Sequence, residues 1–284
     1  MRPHGAEEGN RVDIQEVLTD LNADCDEIDQ MVAGLEDSQW QLPTPALGWT
    51  IAHQIAHLTA TFQMATTSAA DPEAFKAFLA RISDDFTANV AAAMAPYLAL
   101  PPKDLFGRWQ TQRADVTRAL AAVPPGEVVP WLVRPLPPAI LAMAGIMEAF
   151  AHGQDIADAL GEQREVTDRL KHLVGFAVVV WDFGYQARGL TPPDTQFRFD
   201  ITAPSGALWS FGPPDATQRI EGPALDFCLL VTRRRHRDDL AITATGADAD
   251  AWLNIAQAYR GPAGEGRSPG QFAAAGTSSG RPSP

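Results

Sequence analysis

Cysteine is almost absent from this sequence. Only Cys25 and Cys228 occur in 284 residues, and they lie far apart. The pair predicts no disulfide framework and no cysteine-based zinc cluster, and it points to a reducing cytoplasm. Long apolar runs are missing too. No stretch of 18 apolar residues occurs, and the segment from Leu173 to Trp181 is too short to span a bilayer. The polar start, Met1 to Arg11, has no apolar core, so no signal peptide is expected. Basic charge is scarce: 22 Lys and Arg against 35 Asp and Glu give a net charge of −13. That balance excludes a broad nucleic-acid or anionic-membrane surface. It leaves room for a local basic segment, and one exists at Arg233, Arg234, Arg235, His236 and Arg237. Internal repeats are absent as well.

What is present is ordinary core material, with 45% hydrophobic residues. Apolar positions at helical spacing predict a long first helix over residues 12–38 and a second from Ile51 to about Ser68, capped by Thr50. Asp71-Pro72 opens a third that runs through Phe86 to Val90. Another follows Pro101-Pro102. A further helix covers about Ala139 to Leu160 and stops at Gly161, and one more runs from Thr167 or Asp168 to Gly189. Near residue 190 the period changes. Gln196 to Thr202 and Ala207 to Phe211 alternate as a hairpin; then come a short helix over Leu225 to Thr232, a strand over Leu240 to Thr245 and a helix over Asp248 to Tyr259. The fold class is therefore α+β: a helical bundle over residues 12–190, a small α+β domain over 195–262, and a Gly, Ser and Pro-rich tail over 263–284 that reads as disordered.

Chemistry is concentrated in two helical pairs. His53 and His57 form H-x-x-x-H, and Glu148 and His152 form E-x-x-x-H. Residues four apart share a helix face, so each pair can chelate one ion, and two facing helices can complete three or four ligands. Imidazoles with a carboxylate suit zinc, nickel, iron or manganese. The competing reading makes His57 and His152 hydrogen-bonded core residues and Glu148 a paired helix acid. Asp155 is either an orienting partner for a ligand histidine or a helix-surface acid. Cys25 and Cys228 lie outside both motifs and read as structural. Trp49, Trp109, Trp181 and Trp252 fall at apolar helical positions and read as core, with Trp49 set apart by its place just before the second helix.

The segment Leu47-Gly48-Trp49-Thr50-Ile51-Ala52-His53-Gln54-Ile55-Ala56-His57-Leu58 resembles the metal-binding motif of the mycothiol-dependent maleylpyruvate isomerase family, one of the DinB-like four-helix bundles. Met147-Glu148-Ala149-Phe150-Ala151-His152-Gly153-Gln154-Asp155-Ile156 resembles that family's E-x-x-x-H-G-x-D-I element. The likeness covers roughly residues 12–161. It implies a divalent metal, zinc above all, held by His57, Glu148 and His152 with an open position, and a low-molecular-weight thiol such as mycothiol as co-reactant. His53 departs from the pattern and stands as a possible fourth ligand. The later segments around Phe199-Asp200-Ile201, Leu229 to Arg234 and Trp252 to Gln257 resemble domains labelled wyosine base formation, which separates this chain from the isomerase proper.

Three functions remain open on the sequence. The first is a metal- and thiol-dependent isomerase or transferase acting on a small electrophile in the cytoplasm, with Arg233 and Arg234 binding carboxylates of cofactor or substrate. The second is a non-catalytic metal or small-molecule binding protein. The third, suggested by the tail domain alone, is an RNA-modification accessory protein. The basic segment also has a plain reading, as a helix end whose cations offset the dipole.

Overall fold

A computed structural model of the chain describes residues 13–132 and 134–272. Backbone contacts divide it into two units, separated between Val179 and Val180. The first is helical. Helix α1 (Ile14–Val32) starts at Asp13, whose carboxylate accepts from the Gln15 N–H. It ends six residues short of the expected 38. Helix α2 (Ile51–Ala70) begins after Thr50, as its capping chemistry predicts. The expected third helix is two, α3 (Pro72–Leu79) and α4 (Phe86–Leu98). Asp85 accepts from the Ala88 N–H and restarts the helix, so a cap outweighs the continuing apolar period. Helices α5 (Pro102–Ala121) and α6 (Pro138–Leu160) each carry proline at their start, where the missing N–H costs nothing.

Helices α1, α2, α5 and α6 form the bundle, with α2 against α5 and α6, and α1 against α6 and α5. Its core holds Val17, Leu21 and Ile28 of α1, Ile51, Ile55, Leu58 and Phe62 of α2, Leu105 and Trp109 of α5, and Ile146 and Ile156 of α6. Each such side chain contributes roughly 1.5–3 kcal/mol on burial. Helix α6 ends at Gly161, whose φ of 70° lets the N–H groups of Gly161 and Glu162 both reach the Ala157 carbonyl. Helix α7 (Leu170–Val179) closes the unit.

The second unit opens with a short helix, α8 (Phe183–Gln186), where the sequence predicted one helix continuing to Gly189. Its sheet has the order β2-β1-β3-β4, built from β1 (Phe197–Thr202), β2 (Leu208–Phe211), β3 (Gln218–Pro223) and β4 (Thr243–Thr245). β1 pairs antiparallel with β2 and parallel with β3, and β3 pairs antiparallel with β4. β3 is missing from the sequence reading because Ile220 is its sole buried residue, too little for an alternation to show. Phe197, Phe199, Ile201 and Ile220 are buried on one sheet face, beside Phe227 of α9 (Ala224–Val231) and Trp252 of α10 (Ala247–Ile255). Residues 263–272 contain no helix or strand; the remainder of the expected tail, 273–284, lies outside the described residues, as does position 12. Among the described residues no helix is long and apolar enough to cross a membrane.

Candidate metal centre

The site begins with the turn that leads into α2. The Thr44 N–H donates to the Trp49 carbonyl (2.8 Å), and the Ile51 N–H donates to the Leu42 carbonyl (3.2 Å). This small antiparallel bridge delivers Trp49 and Thr50 to the start of the helix. Thr50 and His53 then form a capping box in which an imidazole takes the usual Glu or Gln place. The Thr50 N–H donates to His53 Nδ1 at 3.3 Å, and Thr50 Oγ1 lies 2.9 Å from the same nitrogen. One turn on, His57 points to α6.

There it meets the second pair. His57 Nε2 lies 3.4 Å from Glu148 Oε2, and His152 Nε2 lies 3.2 Å from the same oxygen. The two imidazole rings are 4.4 Å apart, centre to centre. Among the described residues, these three form the one group of His, Cys, Asp or Glu donors gathered closely enough to hold a metal. Ligand atoms around a tetrahedral zinc, each about 2.0–2.1 Å from the ion, lie roughly 3.3 Å from one another. The observed spacings of 3.2 and 3.4 Å match that value. The donor set, two imidazole nitrogens and one carboxylate oxygen, fits a borderline divalent cation.

Burial pushes the Glu148 carboxyl up, but hydrogen bonds from His152 and His57 and their charge outweigh it and hold the group well below the usual carboxylate range. Trp49 covers the site. Its indole stacks on His152 at 5.8 Å with a 19° interplanar angle and lies 5.3 Å from His57. This tryptophan is half-buried and belongs to the site, unlike Trp109 and Trp252, which are core. Behind His152, Gln54 is wholly buried, with its Oε1 2.5 Å from His152 Nδ1 and its Nε2 2.8 Å from Thr44 Oγ1.

The structure thus brings His57, Glu148 and His152 together and leaves His53 out of the cluster, with its Nδ1 engaged by Thr50. Asp155 is wholly buried on α6, less than one turn beyond His152. Sequence reasoning missed Gln54. The signal was there: Ile51, Gln54, Leu58 and Phe62 occupy one stripe of α2, and a polar residue in an apolar stripe must find partners inside. Gly153, of the E-x-x-x-H-G element, gives room for a neighbour. A Cβ there would lie 3.1 Å from Arg164 Nη1 and 3.3 Å from Ile28 Cγ1. Arg164 donates to the Phe150 carbonyl and to Glu27, tying α1 to the helix that carries the ligands.

His172 shows what a core histidine looks like in the same unit. It is buried with its Nε2 2.8 Å from Asp20 Oδ2 and, among the described residues, belongs to no group of donors close enough to hold a metal. Burial lowers its pKa despite the carboxylate. Arg233 and Arg234 lie in the second unit, just past α9. Arg233 adopts a left-handed backbone, φ 58°, and donates to the Gly264 carbonyl; Arg234 donates to the Thr232 carbonyl. A cavity of about 90 Å³ there is lined by Arg233, Arg235, Arg237 and Arg267 together with Glu265.

Comparison with known proteins agrees with this architecture. Residues 21–157 match the family model of the mycothiol maleylpyruvate isomerase N-terminal domain, and residues 193–245 match the wyosine base formation model. An uncharacterised protein of Mycobacterium tuberculosis, found in two strains, is 42% identical over 250 residues, covering 88% of this chain and 97% of that protein. The crystal structure of the mycothiol-dependent maleylpyruvate isomerase shares the fold at a TM-score of 0.55 and 14% identity, over 82% of this chain and 93% of that one. A histidine-to-alanine mutant of that isomerase gives 0.54 over the same shares. The chain belongs to one family with the mycobacterial protein, and in this chain a mycothiol maleylpyruvate isomerase N-terminal-like bundle is followed by a wyosine-base-formation-like segment.

Proposed function

We propose that this protein binds one divalent metal, zinc in the first instance, through His57, Glu148 and His152, and works in the cytoplasm as a thiol-dependent isomerase or transferase of the mycothiol type. The observation that carries the reading is the three-donor cluster, in which both imidazoles lie at tetrahedral-ligand spacing from Glu148, with His53 committed to the helix cap. Three protein ligands and one open position are the pattern of catalytic rather than structural zinc. A divalent cation held there, with one carboxylate beside it, supplies about one net positive charge that favours the thiolate form of a bound thiol.

The chain's own residues do the rest. Trp49 lies over both imidazoles and excludes water from that side of the site. Asp155, buried on the ligand helix, supports its orientation. Neither cysteine of the chain competes with the external thiol. Cys25 and Cys228 are both buried, and burial pushes the Cys25 thiol well up, which keeps it protonated. The thiol therefore comes from outside and adds to an electrophilic carbon of a small substrate. Release of the thiol after bond rotation gives isomerisation; retention gives transfer. Arg233 and Arg234 are candidates to bind a substrate carboxylate.

The test is metal content by mass spectrometry on purified wild type, His57→Ala, His152→Ala and Glu148→Gln. Wild type is expected near one metal per chain, the alanine variants near none, and Glu148→Gln clearly reduced. Cobalt-loaded protein titrated with mycothiol then reports thiol binding through a sulfur-to-metal charge-transfer band. Wild type without metal after reconstitution sinks the proposal; metal without any thiol band favours the non-catalytic binding reading instead.

A further inference from the structure

One polar side chain is fully enclosed beside the three donors. Gln54 sits on the apolar stripe of α2 with no exposed surface. A buried carboxamide has to satisfy both its ends, and here each end has one close partner: His152 Nδ1 at 2.5 Å and Thr44 Oγ1 at 2.8 Å. The direction of the chain is set at its far end. Thr44 Oγ1 lies 3.0 Å from the Trp49 carbonyl oxygen, which can only accept. The single hydroxyl proton of Thr44 goes to that oxygen. Thr44 Oγ1 therefore accepts from Gln54 Nε2, and Gln54 Oε1 is left facing the imidazole. An amide oxygen has no proton to give, so His152 Nδ1 is the donor. That leaves Nε2, the atom turned towards Glu148 and His57, as the ring nitrogen that can bind a metal once the proton it shares with Glu148 is displaced.

We infer that Gln54 is a positioning residue: it locks His152 as the Nδ1–H tautomer and aims the Nε2 lone pair at the metal centre, on an orientation relayed from the Trp49 carbonyl through Thr44. The inference rests on the reading of His57, Glu148 and His152 as a metal site. It also gives the turn before α2 two jobs. The indole of Trp49 stacks on one side of the His152 ring, while its main-chain oxygen anchors the hydrogen-bond chain that holds the ring's edge. Ligand histidines commonly owe their tautomer to such an outer partner, usually a carboxylate or a backbone carbonyl. A carboxamide is a weaker acceptor than a carboxylate. It adds no second negative charge next to Glu148.

The experiment pairs two readouts on the full chain. One is zinc(II) titration of metal-free wild type, Gln54→Leu, Gln54→Glu and Thr44→Val. The other is the 15N–1H spectrum of the histidine rings in metal-free protein above pH 8, which reports which nitrogen of His152 is protonated. Wild type is expected to show a proton on Nδ1 of His152. Gln54→Leu is expected to bind zinc roughly 10–100-fold more weakly, the range for loss of an outer-shell partner, and to show a mixture of tautomers. Gln54→Glu keeps an acceptor for Nδ1–H and is expected to restore affinity close to wild type. Thr44→Val leaves the carboxamide free to turn over and is expected to fall between. A Gln54→Leu protein that melts like wild type and binds zinc equally well overturns the inference. So does a wild-type ring whose Nδ1 carries no proton. Should wild type take up no zinc at all, the metal reading fails, and the tautomer spectrum still decides the hydrogen-bond chain on its own.

Discussion

His53 and His57 are one helical turn apart on α2, and their surroundings give them different work. His53 lies at the third helical position, where its Nδ1 takes the Thr50 N–H that the helix would otherwise leave without a partner. His57 reaches the neighbouring helix and shares Glu148 with His152. Substitution should separate the two. His53→Ala removes half of the capping box and is expected to lower stability by about 0.5–2 kcal/mol, the range for a lost cap. Its metal stoichiometry is expected to stay at the wild-type value. His57→Ala is expected to do the reverse in metal content. Denaturant midpoints and metal analysis on the two variants check this, and equal metal loss in both would defeat the three-donor description. At this scale four-residue spacing brought forward His53, His57, Glu148 and His152 by fixing shared helix faces, and the resemblance to the isomerase motif singled out the last three. Gln54 was not legible in the sequence, because a carboxamide carries no motif and its partners, Thr44 and His152, are joined only by folding.

Among the elements, capped helices were the easiest to read. Thr50, Asp71, Pro102 and Gly161 each mark a boundary that the structure places within a residue or so, because each satisfies or spares a terminal backbone group. Elements whose definition is non-local were harder. β3 exists because β1 offers it a parallel edge, and its own pattern is a single buried Ile220. The sheet face opposite the core has a charge centre that follows from this pairing. In register, Arg198 lies beside Arg219 and Asp200 beside Ser210. Asp200 thereby receives Arg198 Nε (2.9 Å), Arg219 Nη2 (2.6 Å) and Ser210 Oγ (2.5 Å). Burial pushes its carboxyl up, but these hydrogen bonds and the two cations win and hold it below its ordinary value. A depressed folded-state pKa means that the stabilisation is complete above about pH 4, the unfolded value, and is lost as the pH falls from there through the folded one. Asp200→Asn is expected to destabilise the sheet unit by about 1–3 kcal/mol near neutrality, between the surface and buried limits for ion pairs. The difference between variant and wild type should shrink as the pH drops below about 4. Urea unfolding at pH 7 and pH 3 checks both the size and the sign; a gap that widens in acid would mean that Asp200 is not the charge holding β1 to β3.

For the whole molecule, charge and metal make separate predictions. A net charge of −13, with the described arginines largely tied to carboxylates or main-chain oxygens, disfavours RNA binding. Filter binding with tRNA is expected to show no retention even at low salt, and salt-sensitive retention would revive the RNA-accessory reading suggested by the wyosine-base-formation match. The metal prediction concerns stability. His57 comes from α2, while Glu148 and His152 come from α6, and these two helices pack together in the bundle. The site therefore exists only when the bundle is folded, so any ion bound there stabilises the folded state by mass action. Free metal at a hundred times its dissociation constant is expected to add about 2.7 kcal/mol. For a domain of this size, that corresponds to a rise in melting temperature of roughly 5–10 °C. A chelator should reverse it, and His152→Ala should melt at one temperature with or without the ion. Lowering the pH towards the imidazole range should erase the rise in wild type, because the coordinating nitrogen of each ligand histidine must be free of its proton to bind metal. A rise that persists in His152→Ala would place the stabilising ion somewhere other than between α2 and α6.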